Sequence, residues 1–302
     1  MKHFKSISEF CKFRNLPLPQ HPLIGVIDVS DVKHLHPDEP ESLVFDFYSI
    51  ALKRSSNLHV QYGQHPFDFN EGVMSFIAPN QVTAISVKDK HKPISQSGWV
   101  IYIHSDFLWN TPLARNIKRY DFWDYSLHEA LFLSEREKAT ILAIVQNVEE
   151  ETSVNLDKFT KNIVISHLEA LLNYADRFYN RQFITREKAN HQILERMEEL
   201  LTAYFDSKDL VSKGLPTVSH LAGSLNISPK YLSSMLKVLT GQSAQQHIHE
   251  KLIYKAKEKL STTQLSVSEI AYELGFEHLQ SFSKLFKIKT QQSPLEFRAT
   301  FN

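Results

Sequence analysis

Two short rows of side chains toward the C-terminal end have the types and the spacing to recognise a negatively charged, hydrogen-bonding polymer. The first row follows Pro229 and consists of Lys230, Ser233, Ser234 and Lys237; the second consists of His278, Gln280, Ser283, Lys284 and Lys287. Steps of three and four residues put the members of each row on one outer face of a helix. Hydroxyls, an amide, an imidazole and ammonium groups can hydrogen-bond base edges and phosphates. A merely solvated face would carry more Glu, and after His278 the second helix has none. Charge points the same way. Leu215–Asn302 carries 10 Lys+Arg against 6 Asp+Glu, a net +4, together with His220, His247, His249 and His278, although the whole chain balances at 34 against 34. A basic tail on a neutral chain suits an anionic partner.

Both rows sit in an internal duplication. Thr217–Ser243 and Ser266–Ser293 are two copies of one pattern: Val218, Ser219, Ala222 and Leu225 recur 49 residues on as Val267, Ser268, Ala271 and Leu274. After a one-residue insertion, Ser233, Lys237, Thr240, Gln242 and Ser243 recur 50 residues on as Ser283, Lys287, Thr290, Gln292 and Ser293. Each copy reads as helix–turn–helix. In the first, Val218, Leu221, Ala222 and Leu225 face inward, Asn226-Ile227 makes the turn, and Ser228-Pro229 supplies an N-cap and a first-turn proline. Leu232, Met235, Leu236 and Leu239 then bury the inner face of the next helix. In the second, Ser266-x-x-Glu269 is a capping box, Ile270, Ala271 and Leu274 face inward, Gly275 suits a left-handed turn, and Phe282, Leu285, Phe286 and Ile288 pack the helix behind it. Between the copies, Ile248, Leu252, Ala256 and Leu260 mark one stripe of a helix over Ser243–Ser261. Such a helix is roughly 28 Å long at 1.5 Å per residue. That holds two recognition helices about one DNA turn apart, about 34 Å.

The rest of the chain must carry or control these rows. Leu43–Leu52, Gly72–Ala78, Val82–Val87 and Trp99–His104 are rich in strand formers, with turn signals at Gly63, Asn70-Glu71-Gly72, Pro79-Asn80, Pro93 and Ser97-Gly98. They predict a small barrel or sandwich. A short helix follows over 113–124. Ser134-x-x-Glu137 caps a helix over Ser134–Glu150, and Leu156–Tyr179 repeats apolar residues at helical spacing. The stripe Val164, Leu168, Leu171, Leu172 and Ala175, flanked by Ile163 and Phe178, either covers the β module or forms a dimer seam. Polar Tyr179–Asn190 is the expected interdomain boundary, and Ile193, Met197, Leu200, Leu201 and Tyr204 stripe the helix after it.

The second copy, Ser266-Val-Ser-Glu-Ile-Ala-Tyr-Glu-Leu-Gly-Phe276, then Ser281-Phe-Ser-Lys-Leu-Phe-Lys287, then Ser293-Pro294-x-x-Phe297-Arg298, resembles the AraC/XylS family of bacterial transcription regulators. The likeness covers roughly Ile193–Phe297. It implies a seven-helix domain that binds double-stranded DNA, with Lys230, Ser233, Ser234, His278, Gln280, Ser283 and Lys284 at base-facing positions and Lys237 and Lys287 at phosphate-facing ones. It also implies contact with RNA polymerase and a preceding module, often a cupin-like β-barrel with helices, for dimerisation and effector binding. One departure matters: the first copy has two serines and no arginine on its outer face, which weakens its base readout.

The sequence therefore predicts an α+β chain: residues 1–180 as a β-rich, cupin-like sensor and dimerisation domain with helices, and 189–302 as an all-α DNA-binding domain of two helix–turn–helix modules joined by a long helix. The expected function is a sequence-specific transcription regulator, an activator, acting as a homodimer and open to control by a small-molecule effector. The alternative is a metal-dependent cupin-type enzyme fused to a DNA-binding domain. His59, His65, His91 and His104 lie in the β segment and His34-Leu35-His36 before it, but a metal barrel normally shows two histidines one residue apart with a carboxylate soon after. Cys11 is the only cysteine, which excludes intrachain disulfides and thiolate zinc clusters, and no plausible base stands next to it. No Gly-rich phosphate loop or Gly-x-Ser-x-Gly elbow occurs. Catalytic residues, metal and cofactor are accordingly not expected. No run of about 18 apolar residues predicts a membrane span, and the residues after Met1 do not form an apolar signal core, so a cytoplasmic protein is expected.

Overall fold

Strand-forming residues run without a break from Leu43 to Leu52, yet they belong to two strands of different sheets. The chain turns at Asp46, whose carboxylate meets His3 Nε2 at 2.6 Å and whose amide donates to Phe4 O at 3.1 Å. This computed structural model describes residues 1–31, 41–56, 58–62, 65–67, 73–87, 95–126, 129–153, 157–207 and 210–301. The expected turn residues Gly63, Asn70, Glu71, Gly72 and Pro93, the histidines His34, His36 and His91, and Leu156 lie outside them.

The chain divides into two compact units, Met1–Gln182 and Phe183–Asn302. The first unit opens with β1 (Lys2–Phe4), α1 (Ile7–Phe13), β2 (Ile24–Asp28), β3 (Glu41–Phe45), β4 (Phe47–Ser56), β5 (Leu58–Tyr62) and β6 (His65–Phe67). It continues through β7 (Val73–Ile77), β8 (Val82–Val87), β9 (Ser95–His104), α2 (Ser105–Leu108), α3 (Pro112–Asn116), β10 (Leu131–Phe132), α4 (Glu135–Ser153) and α5 (Thr160–Thr185), which ends just past the boundary. One sheet has the order β1-β3-β8-β5-β6 and the other β10-β7-β4-β9-β2. The described strands thus form two open sheets, the sandwich rather than the barrel of the two forms expected from the strand pattern, and no closed cupin-like barrel is found among them. All pairings are antiparallel except β1 with β3. One core cluster joins the sheets: Phe4, Leu43 and Phe45 from the first meet Ile27, Phe47, Ala51, Val100 and Tyr102 from the second. The helix expected over 113–124 stops at Asn116, and two 3₁₀ turns, Ile117–Arg119 and Asp121–Asp124, carry the rest.

The capping box that starts α4 is present: Ser134 N–H donates to Glu137 Oε2 at 2.8 Å, and Ser134 Oγ accepts from Glu137 N–H at 3.3 Å. Val164, Leu168, Leu171, Leu172 and Ala175 of α5 are all buried within the chain itself, as is Phe178, so this stripe is not free to form a dimer seam. Polar ties fix the helix. Arg181 forms an ion pair with Glu137 at 2.8 Å and donates to Phe132 O at 2.7 Å, and Tyr120 OH donates to Asn173 Oδ1 at 2.9 Å. Tyr179–Asn190, expected as a polar boundary, is helical almost throughout because Tyr179, Gln182, Phe183 and Asn190 are buried.

The second unit is helical: α6 (Glu187–Asp206), α7 (Leu210–Lys213), α8 (Val218–Ser224), α9 (Pro229–Thr240), α10 (Ala244–Thr262), α11 (Val267–Glu273), α12 (Leu279–Thr290) and α13 (Pro294–Ala299). The single turn α7 adds to the helices that the resemblance implies. α10 packs against α6, α9, α11 and α13, burying Ile248, Leu252, Ile253, Ala256 and Leu260. Across its surface Lys255 pairs with Asp206 at 2.7 Å and Lys259 with Glu273 at 2.6 Å, which ties α6 and α11 to it.

Candidate nucleic-acid interface

The duplication is reproduced bond for bond in the backbone. After α8, Asn226 adopts a left-handed φ of 57°, its amide donates to Gly223 O at 3.1 Å, and Ile227 N–H donates to Ala222 O at 3.0 Å. After α11, Gly275 has φ 84°, its amide donates to Tyr272 O at 2.9 Å, and Phe276 N–H donates to Ala271 O at 3.0 Å. Both are Schellman endings, the tightest common way to turn a helix back on itself. The repeated Thr, Gln and Ser also find their purpose. Thr240 and Thr290 donate back to Leu236 O and Phe286 O, each at 2.8 Å, and accept from the amides of Gln242 and Gln292. Ser243 and Ser293 are the N-caps of α10 and α13, each in a capping box, with Gln246 and Glu296 as the reciprocal partners. The bonds from Ser293 hold the Glu296 carboxyl below its usual range.

On α9 and α12 the two expected rows correspond residue for residue, since 230, 233, 234 and 237 map to 280, 283, 284 and 287. Lys230 and Lys237 are exposed, with Ser233 and Ser234 half-buried between them. Gln280, Lys284 and Lys287 are exposed, with Ser283 half-buried. The structure therefore brings each row together on one helix face. His278 is exposed at the N-cap of α12, where its side chain makes no capping bond; the matching Ser228 accepts from Tyr231 N–H at 3.2 Å. Among the described residues no hydrogen bond occupies the His278 ring, which leaves it open to a partner.

Two positions on α12 were not assigned to the outer row in the sequence. Ser281 is exposed, whereas Tyr231 at the matching place is buried, its ring 5.1 Å from that of Phe183. Ile288, expected in the core, is 59% exposed. It lies six residues after Phe282, off the stripe made by Phe282, Leu285 and Phe286, and four after Lys284 on the outer row. The mismatch of Tyr231 with Ser281 across the copies was the only available signal.

Among the described residues the rival chemistry finds no assembled site. His59 and His65 fall on β5 and β6, while His104 caps α2, accepting from Asp106 N–H at 3.3 Å. Among the described residues no group of three or more His, Cys, Asp or Glu is placed to hold a metal ion. Cys11 is fully buried, and burial pushes its thiol up to about 11, far from a nucleophile's range. Among the described residues no helix is long and apolar enough to cross a membrane.

Comparison with known proteins places the duplicated region. Residues 221–300 match a family described as a helix-turn-helix domain. An uncharacterised HTH-type transcriptional regulator, YfiF, of Bacillus subtilis is 29% identical over 165 residues, covering 54% of this chain and 49% of its own. Another, from Pseudoalteromonas carrageenovora, is 34% identical over 85 residues, covering 28% of this chain and 50% of its own. The chain thus spans about half the length of these curated relatives. Among solved structures, the C-terminal domain of the two-component response regulator yesN from Fusobacterium nucleatum is 35% identical, covering 36% of this chain and 97% of that one, with a TM-score of 0.30. The second unit thus carries a helix-turn-helix domain similar to those of HTH-type transcriptional regulators, in keeping with the AraC/XylS resemblance of the sequence.

Proposed function

We propose that the protein is a sequence-specific transcription regulator that binds double-stranded DNA through α9 and α12, with the first unit as its sensor. The observation that carries this reading is the pair of matching outer rows, one on α9, which packs on α10, and one on α12, which packs on the α11 and α13 that α10 also holds. Lys230, Ser233, Ser234, His278, Gln280, Ser283 and Lys284 contact bases, and Lys237 and Lys287 contact phosphates. The domains behind this division of labour are residues 1–180 and 189–302. Activation by contact with RNA polymerase, a cupin-like descent of the two-sheet unit and control by a small effector complete the reading. The test is DNA affinity against salt, using a fragment from Phe183 onward and the full chain. The logarithm of affinity should fall linearly with the logarithm of salt, by about 0.9 per neutralised phosphate. Lys237→Ala and Lys287→Ala should each flatten that slope by about 1. A folded protein with salt-independent or absent DNA binding refutes the reading.

The protein acts as a homodimer on this reading, and the buried stripe of α5 moves the seam to the helix's outer side, where Ile163 and Tyr174 are exposed. Ile163→Glu should give a folded monomer and Leu171→Glu an unfolded first unit, as read by sedimentation and circular dichroism. A wild-type monomer at tens of micromolar ends the dimer proposal.

A further inference from the structure

The second sheet ends on a strand whose outer side is open. β2 is last in the order β10-β7-β4-β9-β2, and no described strand pairs beyond it. His104 N–H donates to Leu23 O at 2.8 Å, so Leu23, Gly25 and Ile27 share their backbone bonds with β9. Bonded and non-bonded pairs alternate along an antiparallel ladder, so Ile24, Val26 and Asp28 turn their amides and carbonyls the other way. Ile24 is fully buried, which leaves half-buried Val26 and exposed Asp28 as the accessible length of edge. Natural sheets blunt such edges with lysine, proline or a bulge in the strand. β2 has none of these: its sequence is Ile-Gly-Val-Ile-Asp, and it keeps unbroken register with β9 from Ile24 to Asp28.

A cleft of about 250 Å³ lies beside this edge. One wall is the segment Pro17–Gln20, seated so closely on the strand that a Cβ on Gly25 would stand 2.7 Å from Pro19 Cβ. Pro17 and Pro19 have no amide hydrogen, so this segment lacks the donors to complete the ladder itself. The other wall is the last turn of α4, with Glu149, Thr152 and Ser153. Thr152 and Ser153 spend their hydroxyls on their own helix, donating to Val148 O at 2.8 Å and to Glu149 O at 2.6 Å. What remains is charge of one sign. Asp28, Asp31 and Glu149 line the cleft, and among the described residues no lysine or arginine does. An open edge gives backbone bonds to an extended chain of any sequence, and the side chains around it choose among chains. Two copies of β2 set edge to edge would bring both sets of carboxylates into one seam, which disfavours a second copy as the occupant.

We propose that the β2 edge is a docking site for an extended, lysine- or arginine-bearing segment of another protein, added to the sheet as its outermost strand. Val26 exchanges amide and carbonyl bonds with that segment, the Asp28 amide donates a further one, and the segment's cations lie beside Asp28, Asp31 and Glu149. The site belongs to the first unit alone and does not depend on the DNA-binding reading.

The test uses the full chain and three end-capped peptides: Lys-Val-Lys-Val-Lys, the same peptide with every backbone amide N-methylated, and Glu-Val-Glu-Val-Glu. Calorimetry reads binding, and hydrogen exchange reads protection of β2. The lysine peptide should bind, slow exchange at the Val26 and Asp28 amides, and weaken as salt rises. The N-methylated and glutamate peptides should bind tenfold or more weakly. Val26→Pro removes the central donor and leaves the bonds to β9 in place. It should fold, since edge strands tolerate proline, and lose tenfold or more of the peptide affinity. Glu149→Lys, at an exposed position on α4, should fold normally and weaken the lysine peptide while improving the glutamate one. If Val26→Pro does not fold, the N-methylated peptide puts the same question to the wild type. The proposal is overturned if the lysine peptide does not bind, if it binds without protecting Val26 and Asp28, if either control peptide binds as well, or if folded Val26→Pro binds as wild type does. A wild-type dimer that Val26→Pro converts to monomer also overturns it and gives the edge to a second copy.

Discussion

The two helix–turn–helix copies share a backbone and differ in what they spend on it. In the first, the turn is made by Asn226, α9 starts with a serine cap and a proline, and the core behind it is aliphatic, with Leu232, Met235 and Leu236 fully buried. In the second, the turn is Gly275, α12 starts on an uncapped His278, and the core is a chain of rings: Phe276 to Phe282 at 5.4 Å, Phe282 to Phe286 at 5.8 Å and Phe286 to Phe297 at 5.6 Å. The first copy gives its helix start to stability. The second leaves that position to a side chain that can meet a partner and recovers stability from aromatic packing. A duplicated scaffold can therefore divide labour without changing its hydrogen bonds.

Matched substitutions test that division, and the largest effect is expected in the cores. Phe286→Ala should cost about 3–5 kcal/mol, toward the upper end because two ring contacts go with it, and Leu236→Ala at the equivalent place about 2–5 kcal/mol. Urea unfolding of the second unit compares them, and a smaller loss at Phe286 would break the argument from packing. Next come the turns. Gly275→Ala should cost about 1–2 kcal/mol for the left-handed backbone alone, and more because a Cβ there would stand 2.9 Å from Gly214 C. Asn226→Gly should change stability by only a few tenths of a kcal/mol, since asparagine tolerates this conformation well. Equal effects at both turns would remove the distinction.

DNA readout should divide in the same way. If Lys284 reads a base edge, Lys284→Ala costs about 1–3 kcal/mol at the preferred site and relaxes the preference there. Ser234→Ala at the matching position should cost less. Binding-site selection with each variant decides, and an unchanged preference for Lys284→Ala would reject its direct readout. The smallest effect is at the helix ends. Gly241 and Gln291 both take left-handed φ, 75° and 62°. Gln291→Gly should relieve about 1–2 kcal/mol of backbone cost and return about 0.5–1 kcal/mol as lost chain entropy, a net gain of a few tenths to about 1 kcal/mol in thermal unfolding.

How far the sequence could be read depended on how local the determinants were. Ser266-x-x-Glu269, Ser228-Pro229 and Gly275 act within one helical turn, so α8–α12 and the placing of both outer rows on a helix face were legible from spacing, whereas α13 came only with the resemblance. Ile288 was misplaced because a β-branched apolar residue was taken for core although it falls between the inner positions. The first unit was harder because its order is set by distant partners. β1 pairs with β3 across some forty residues, and nothing near Asp46 announces that one apolar run serves two sheets. The buried stripe of α5 was correctly seen as apolar, but the ties that place the helix come from the 3₁₀ segments and β10, through Tyr120, Phe122 and Phe132, which carry little local pattern.

α10 has a consequence for how such a protein can change over generations. Its buried positions Ile248, Leu252, Ala256 and Leu260 grip other helices of the second unit along its length. Inserting one residue would turn everything beyond it by about 100° and advance it by about 1.5 Å, tearing those positions from their partners. Residues on the outer rows are exposed or half-buried and lie off the inner stripes, so they can be exchanged singly. On the proposed reading, inheritance can thus revise the letters each helix prefers step by step, while the interval between the two words stays fixed from ancestor to descendant.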